Sequence, residues 1–485
     1  MALERVRASI GEAAARLRRH PRATEHLTDR ELNRLRERIA ACLDPRVSGV
    51  TVRSRAGEVA SMVQSLDRAG LLRFFTLLLD EFGLDHEVLR VALSNATAAL
   101  NAPSTGPFAP DPTGWKATQW EEMARLRRAG TARWEYLFEL LCGLEGGVKL
   151  AVDLRAELLA LLPTEAHLAP LDADMHRVLS RLFPPGLLEL RRITWDSQAS
   201  LLEKLIEYES VHEITGWSDL KNRLDDHDRR CYAFIHPGMP DEPLIFVEVA
   251  LLKDMAADVV SLLDVGAPIG ASEQARTANF YSISACQPGL SGVNLGDVLI
   301  KEVVADLTRD LPRLNQFATL SPIPGFRRWL ETSLQDPNWS LLTPEDCRAI
   351  ADVSTNGAGT PADLAALLAG PWTADSVTSR VLREVLVGLC CDYLVGEGIG
   401  RSRDRVANFH LTNGAQIERL NWLANPTPSG MRESYGLMVN YRYDLPRIDS
   451  NHELYGAEGQ IARSSAIARI LTARRKGRAA RPDTS

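Results

Sequence analysis

Three places in this chain combine residue types and spacing that suit chemistry on an anionic ligand. The first is the string FYSISACQPGLSGVNLG from Phe280, where a β-branched and aromatic run meets Gly292 and Gly296. It opens a segment in which Leu299, Val303, Leu307 and Leu311 recur at helical spacing. Strand, glycine turn and helix are expected in that order. Glycines let the backbone approach a ligand closely, and the unpaired amides and dipole of a helix start favour a phosphate or pyrophosphate. The spacing is neither G-x-G-x-x-G nor G-x-x-x-x-G-K-[ST], and on pattern alone a plain strand-to-helix turn is the better account of two glycines.

The second place is Ser321, which follows the apolar run QFATL and precedes Pro322, Ile323, Pro324 and Gly325. Two prolines fix φ and stiffen the turn that presents the hydroxyl. Its bland reading is a cap for the helix expected from Phe326 to about Leu334. The third is His410 in ANFHLT. Read as a strand over 407–413, the alternation puts Ala407, Phe409 and Leu411 on one face and Asn408, His410 and Thr412 on the other. The imidazole is then beside two polar neighbours that could fix its tautomer. A lone histidine on a strand is equally well a satisfied or solvated residue.

Weaker candidates are His236, Glu248, Tyr435, Asn440, Tyr441, Arg442 and Tyr443 around an acyl pocket, and Lys301, Arg327 or Arg328 for phosphates. Hairpin ends, a strand face, an aromatic core edge and solvated helix charges account for these as well.

The elements that must position these groups divide the chain near residue 188. Before it, Thr28 and Glu31 form a capping box and Leu32, Leu35, Ile39 and Leu43 give a core-facing stripe. Amphipathic segments at about 57–82, 86–101, 116–143 and 149–162 follow, with a loop at STGPFAPDPTG, 104–114. This predicts an all-α helical domain over 1–187, for packing and oligomerisation. After it, strands are expected at 231–237, 243–251, 277–286, 316–321, 407–413, 416–424 and 434–444. A helical insertion is expected at about 342–398, and a final helix from about Glu458. The fold class is α+β, a mostly antiparallel sheet flanked by helices over 188–485.

Composition narrows the partners. The net charge of −7 argues against a general nucleic-acid binder, and the 45% hydrophobic and 25% charged fractions are those of an ordinary globular chain. Seven scattered cysteines without a C-x-x-C pair read as reduced thiols. The most apolar window, LLRFFTLLLDEF from Leu71, is too short to span a bilayer. Glu4 and Glu12 count against a transit peptide, and RPDTS is not a peroxisomal address. A cytoplasmic protein is expected.

The strings FYSISACQPGLSGVNLGDVLIKEVV, FATLSPIPGFRRWL, VANFHLTNGAQIERLNWLA and GLMVNYRYDL, in that order, resemble malonyl-CoA decarboxylases from about Leu190 to Tyr455. The resemblance implies a catalytic domain of the GNAT acetyltransferase type, and conversion of malonyl-CoA to acetyl-CoA and CO2. It also implies a serine–histidine pair at Ser321, the proton acceptor, and His410, the proton donor. The family's CoA-binding loop falls on Ser291, Gly292, Val293, Asn294, Leu295, Gly296 and Asp297. Animal members carry Glu where this chain has Asn294, which puts a carboxylate role there in doubt. The family tends to form tetramers, so a homo-oligomer is expected.

That reaction needs no cofactor: losing CO2 leaves charge that delocalises into the thioester carbonyl, and the sequence has no convincing metal, pyridoxal or thiamine motif. Two other classes remain on the residues alone. One is a CoA-dependent acyltransferase, needing an acceptor channel; the other is a non-catalytic CoA-binding protein.

Overall fold

The computed structural model describes residues 27–44, 46, 49–101, 117–267, 270–293, 295–396 and 400–479, and of Asp297 the backbone alone. Asn294, the opening segment with Glu4 and Glu12, and the loop at 104–114 lie outside the described residues. The chain forms two compact units. One comprises Met1–Glu189, Ile235–Pro243 and Gln287–Val293; the other comprises Leu190–Phe234, Leu244–Cys286 and Asn294–Ser485.

The first unit is helical: α1 Asp29–Cys42, α2 Val50–Gln64, α3 Arg68–Glu81, α4 His86–Asn101, α5 Ala117–Ala129, α6 Arg133–Cys142, α7 Gly147–Leu161 and α8 Ala169–Leu182. Thr28 and Glu31 close the capping box of α1, and Leu35, Ile39 and Cys42 enter the core while Leu32 and Leu43 pack on its margin. Phe74, Phe75, Leu137, Phe138 and Leu158 are its fully buried centre. The segment expected at 57–82 is two helices. Asp67 starts the second by accepting from Gly70 N at 2.7 Å. Gly130 likewise lies between α5 and α6, dividing 116–143.

The second unit holds most of an eight-stranded sheet, order β1-β2-β3-β4-β5-β8-β6 with β7 on β8. The strands are β1 Glu189–Ile193, β2 Arg229–His236, β3 Met239–Leu252, β4 Thr277–Ala285, β5 Gln316–Thr319, β6 Ser321–Pro322, β7 Gln416–Asn421 and β8 Met438–Arg442. β4 and β5 run parallel, while the β3–β4, β5–β8, β6–β8 and β7–β8 pairs are antiparallel. A parallel pair needs a crossover. Here it is the glycine loop with helix α9 Gly296–Asp310, so strand, loop and helix stand as the sequence implies. The fold class is α+β, and the helical insertion is Pro344–Val353, Pro361–Ala369 and Ser376–Val395, the first two started by the capping boxes of Thr343 and Thr360.

Three expectations are corrected. Residues 407–413 are not a strand but lie in and just after helix α10, Arg405–Thr412. Ala407, His410 and Leu411 are its buried residues, an i, i+3, i+4 set that a window of seven residues cannot tell from alternation. The strand placed at 434–444 covers only Met438–Arg442, because Thr427 and Pro428 start a helix that runs to Ser434. The final helix expected from about Glu458 begins only at Ser465 and runs to Ala479, and a helix not expected from the sequence, Ile448–Glu458, ends where it was placed, at Gly459 with φ 66°. Among the described residues no helix is long and apolar enough to cross a membrane.

Candidate active site

Ser321 sits in β6, opposite Val439 of β8. The helix Phe326–Leu334 is preceded by Gly325 and has no side-chain cap, so Ser321 does not spend its hydroxyl there. It is buried, and its Oγ–H donates to Thr319 Oγ1 at 2.8 Å. Thr319, two residues earlier, shares that face of the extended chain. Its hydroxyl oxygen also accepts from Tyr441 N at 3.1 Å, and its carbonyl accepts from Asn440 Nδ2 at 2.7 Å. The serine therefore rests on a fixed acceptor.

His410 is delivered by α10. Asp404 starts this helix by accepting from Val406 N at 2.9 Å and Ala407 N at 3.0 Å, and Tyr393 Oη donates to the same carboxylate at 3.3 Å. The ring lies 4.5 Å from that of Tyr441, nearly parallel at 26°. Its Nε2 is 3.0 Å from Ser321 Oγ and its Nδ1 2.8 Å from Tyr443 Oη. Burial holds the imidazole pKa down to about 3, so the ring is neutral at ordinary pH.

A neutral imidazole donates from one nitrogen and accepts at the other. Since Ser321 gives its own hydrogen to Thr319, its oxygen accepts from His410 Nε2–H, and Nδ1 then accepts from Tyr443 Oη–H. The chain of donors runs Tyr443 to His410 to Ser321 to Thr319. The polar neighbours expected on a strand do other work: Asn408 Nδ2 donates to Ser402 O at 2.6 Å, and Tyr455 Oη donates to Asn408. Thr319 is not among the sequence candidates, although a hydroxyl two residues before Ser321 is a visible signal. Tyr443 stands among the weaker candidates around an acyl pocket, with an aromatic core edge as its other reading.

Of the loop, Ser291 and Gly292 are exposed, Val293 is half-buried, and Leu295 and Gly296 are buried. Gly292 has φ 84°, a conformation that favours glycine. Gly296 opens α9 against the helix of the histidine: a Cβ there would lie 2.2 Å from the ring of Phe409, the neighbour of His410. Leu295 supplies no side-chain cap to α9. Ser291, Gly292 and Val293 belong to the first unit, Leu295 to Asp297 to the second.

Other candidates are occupied elsewhere. His236 Nε2 lies 2.9 Å from Leu182 O, Glu248 pairs with the buried Arg223 at 3.1 Å, and Lys301 meets Asp449 at 3.3 Å. Arg327 pairs with Glu331 at 2.7 Å and stacks over Tyr435.

The fold and site define an α+β protein with a buried serine–histidine pair at the junction of a sheet and a capped helix. Residues 186–481 match the malonyl-CoA decarboxylase C-terminal domain, and residues 108–183 its N-terminal domain. The mitochondrial malonyl-CoA decarboxylase of Rattus norvegicus is 39% identical over 360 residues, 72% of this chain and 73% of that protein. That of Anser anser anser is 38% identical over 356 residues, 71% of this chain and 70% of that one. The crystal structure of malonyl-CoA decarboxylase from Rhodopseudomonas palustris superposes with a TM-score of 0.78 at 36% identity, covering 90% of this chain and 99% of that one. The one from Agrobacterium vitis gives 0.76 at 35%, with the same coverage. The chain belongs to the malonyl-CoA decarboxylase family, whose members are carboxy-lyases, and it is an enzyme of that class.

Proposed function

We propose that the enzyme converts malonyl-CoA to acetyl-CoA and CO2 without a cofactor, through Ser321 and His410. The observation that carries this is the 3.0 Å contact between Ser321 Oγ and His410 Nε2, in a site where burial keeps the imidazole neutral. The bond from the malonyl α-carbon to its carboxylate breaks, CO2 leaves, and the electron pair becomes an enolate spread into the thioester. His410 Nε2–H is the proton donor and Ser321 Oγ the acceptor, whose own hydrogen turns from Thr319 Oγ1 to the α-carbon as the one from Nε2 arrives. Tyr443 Oη–H refills Nδ1, so the imidazole stays neutral throughout. One C–C bond is lost and one C–H bond gained, with the net proton drawn from solvent.

The CoA phosphates fall to the loop Ser291–Asp297, whose φ at Gly292 and tight packing at Gly296 support a close backbone approach. The helical first unit is read as the site of self-association, supported by the exposed Val88, Val91, Leu93, Leu100 and Trp120 on α4 and α5; light scattering of the purified chain tests it. The compartment is read as cytoplasmic, against the mitochondrial names of the animal relatives, and cell fractionation decides it.

Purified protein given carboxyl-labelled malonyl-CoA and no acceptor should release labelled CO2. Turnover only after adding an amine would instead mark an acyltransferase, and binding without turnover a CoA-binding protein.

A further inference from the structure

The loop is gripped from below by a residue far away in sequence. Arg155 of α7 is only 3% exposed. Its Nε donates to Asp172 of α8 at 2.8 Å, and its Nη1 donates to the carbonyl oxygens of Gly289 at 2.7 Å and Ser291 at 2.8 Å. Between those carbonyls the chain presses on α7: a Cβ on Gly289 would lie 1.8 Å from Val152 O. All of these residues lie in the first unit.

Holding Ser291 O inward has a directional effect. In a planar trans peptide the carbonyl and the following N–H point in opposite directions. With Ser291 O fixed on a buried guanidinium, the Gly292 N–H must face out. Neighbouring amides are already engaged, Leu290 N with Gln287 O, Ser291 N with Pro288 O and Val293 N with Leu290 O. Gly292, exposed and at φ 84°, is the amide left over among them. The imidazole of His176 in α8 flanks it, with Nε2 3.2 Å from where a Cβ on Gly292 would be.

We infer that Arg155, oriented by Asp172, is a positioning residue for phosphate binding. It does not touch the ligand; it aims the Gly292 N–H, which together with His176 takes a phosphate oxygen of CoA. This rests on the loop's assignment to CoA under the proposed function. A planar fork serves three acceptors at once, which a lysine ammonium on a flexible stem does not.

Two substrates separate aiming from general support: malonyl-CoA, and malonyl-pantetheine, which lacks the nucleotide phosphates. Arg155→Met should raise KM for malonyl-CoA about tenfold, as one lost charge-assisted ligand contact does, with kcat within twofold and KM for malonyl-pantetheine unchanged. Arg155→Lys should fall between. A wild-type ratio of the two KM values in Arg155→Met, whether both hold or both rise together, overturns the inference. Should Arg155→Met not fold, Asp172→Asn is read by the same ratio, with a rise of about threefold expected and an unchanged ratio overturning it. If the wild type does not turn malonyl-CoA over, the proposed function fails, and the ratio is then taken from Kd values for CoA and pantetheine. A wild type that binds neither overturns both.

Discussion

The glycine loop and the serine–histidine pair are held in opposite ways. At the pair, side chains fix side chains: Thr319, Ser321, His410 and Tyr443 are all buried, and each ring nitrogen of His410 has a partner. At the loop, backbone conformation and exposure prevail, with Gly292 at φ 84° and open to solvent, and Gly296 shaped by Phe409. A buried network adds directional control over protons, whereas an exposed amide turn adds grip on a large, wet, charged handle. The first should therefore govern kcat and the second KM.

The strongest test is removal of the pair. Ser321→Ala and His410→Ala should each lower kcat by about 100-fold to 10,000-fold, the usual worth of a positioned proton-transfer group, while CoA binding by calorimetry stays within a few-fold. Loss of CoA binding in both would erase the division of labour.

Gly296→Ala comes next. The methyl group must displace the Phe409 ring, so stability should fall by about 1–3 kcal/mol and KM should rise. In a Phe409→Ala background the same change should cost less, measured by denaturant unfolding as a double-mutant cycle.

Tyr443→Phe removes the hydrogen that Nδ1 accepts. A drop in kcat of about tenfold, roughly 1.4 kcal/mol of barrier, with KM unchanged would place this hydroxyl on the side of the pair; a KM effect alone would move it to the other.

The last test is pH. His410 titrates at about 3 folded against an ordinary 6.5, so the unfolded chain binds the proton first. Its contribution is complete above pH 6.5 and is lost as pH falls towards 3, with a limiting slope of about 1.4 kcal/mol per pH unit. His410→Asn should flatten the urea midpoint in that window. His212, lowered to about 4 by burial and by Arg223, loses its share over a narrower range and stays as the internal reference.

Much of this was legible because local chemistry agreed with the fold. The β4 strand, the helix after the glycine loop, the Phe326–Leu334 helix and the capping box at Thr28 all carry their signals within a few residues. The histidine's helix is hard to tell from a strand because a short apolar pattern fits both periods, and Asp404, two residues before Val406, is the start signal that separates them. Resemblance to a family joined Ser321 to His410; nothing local does so across 89 residues. Arg155 was invisible for the same reason, its partners at Gly289 and Ser291 lying 134 and 136 residues on.

The direction of the hydrogen-bond chain carries a last consequence. With Thr319 Oγ1 accepting from both Ser321 and Tyr441, the imidazole presents a hydrogen, not a lone pair, to the serine oxygen. That is the reverse of the arrangement that makes a hydrolase serine attack electrophiles. Fluorophosphonate reagents that label such serines should therefore leave Ser321 untouched.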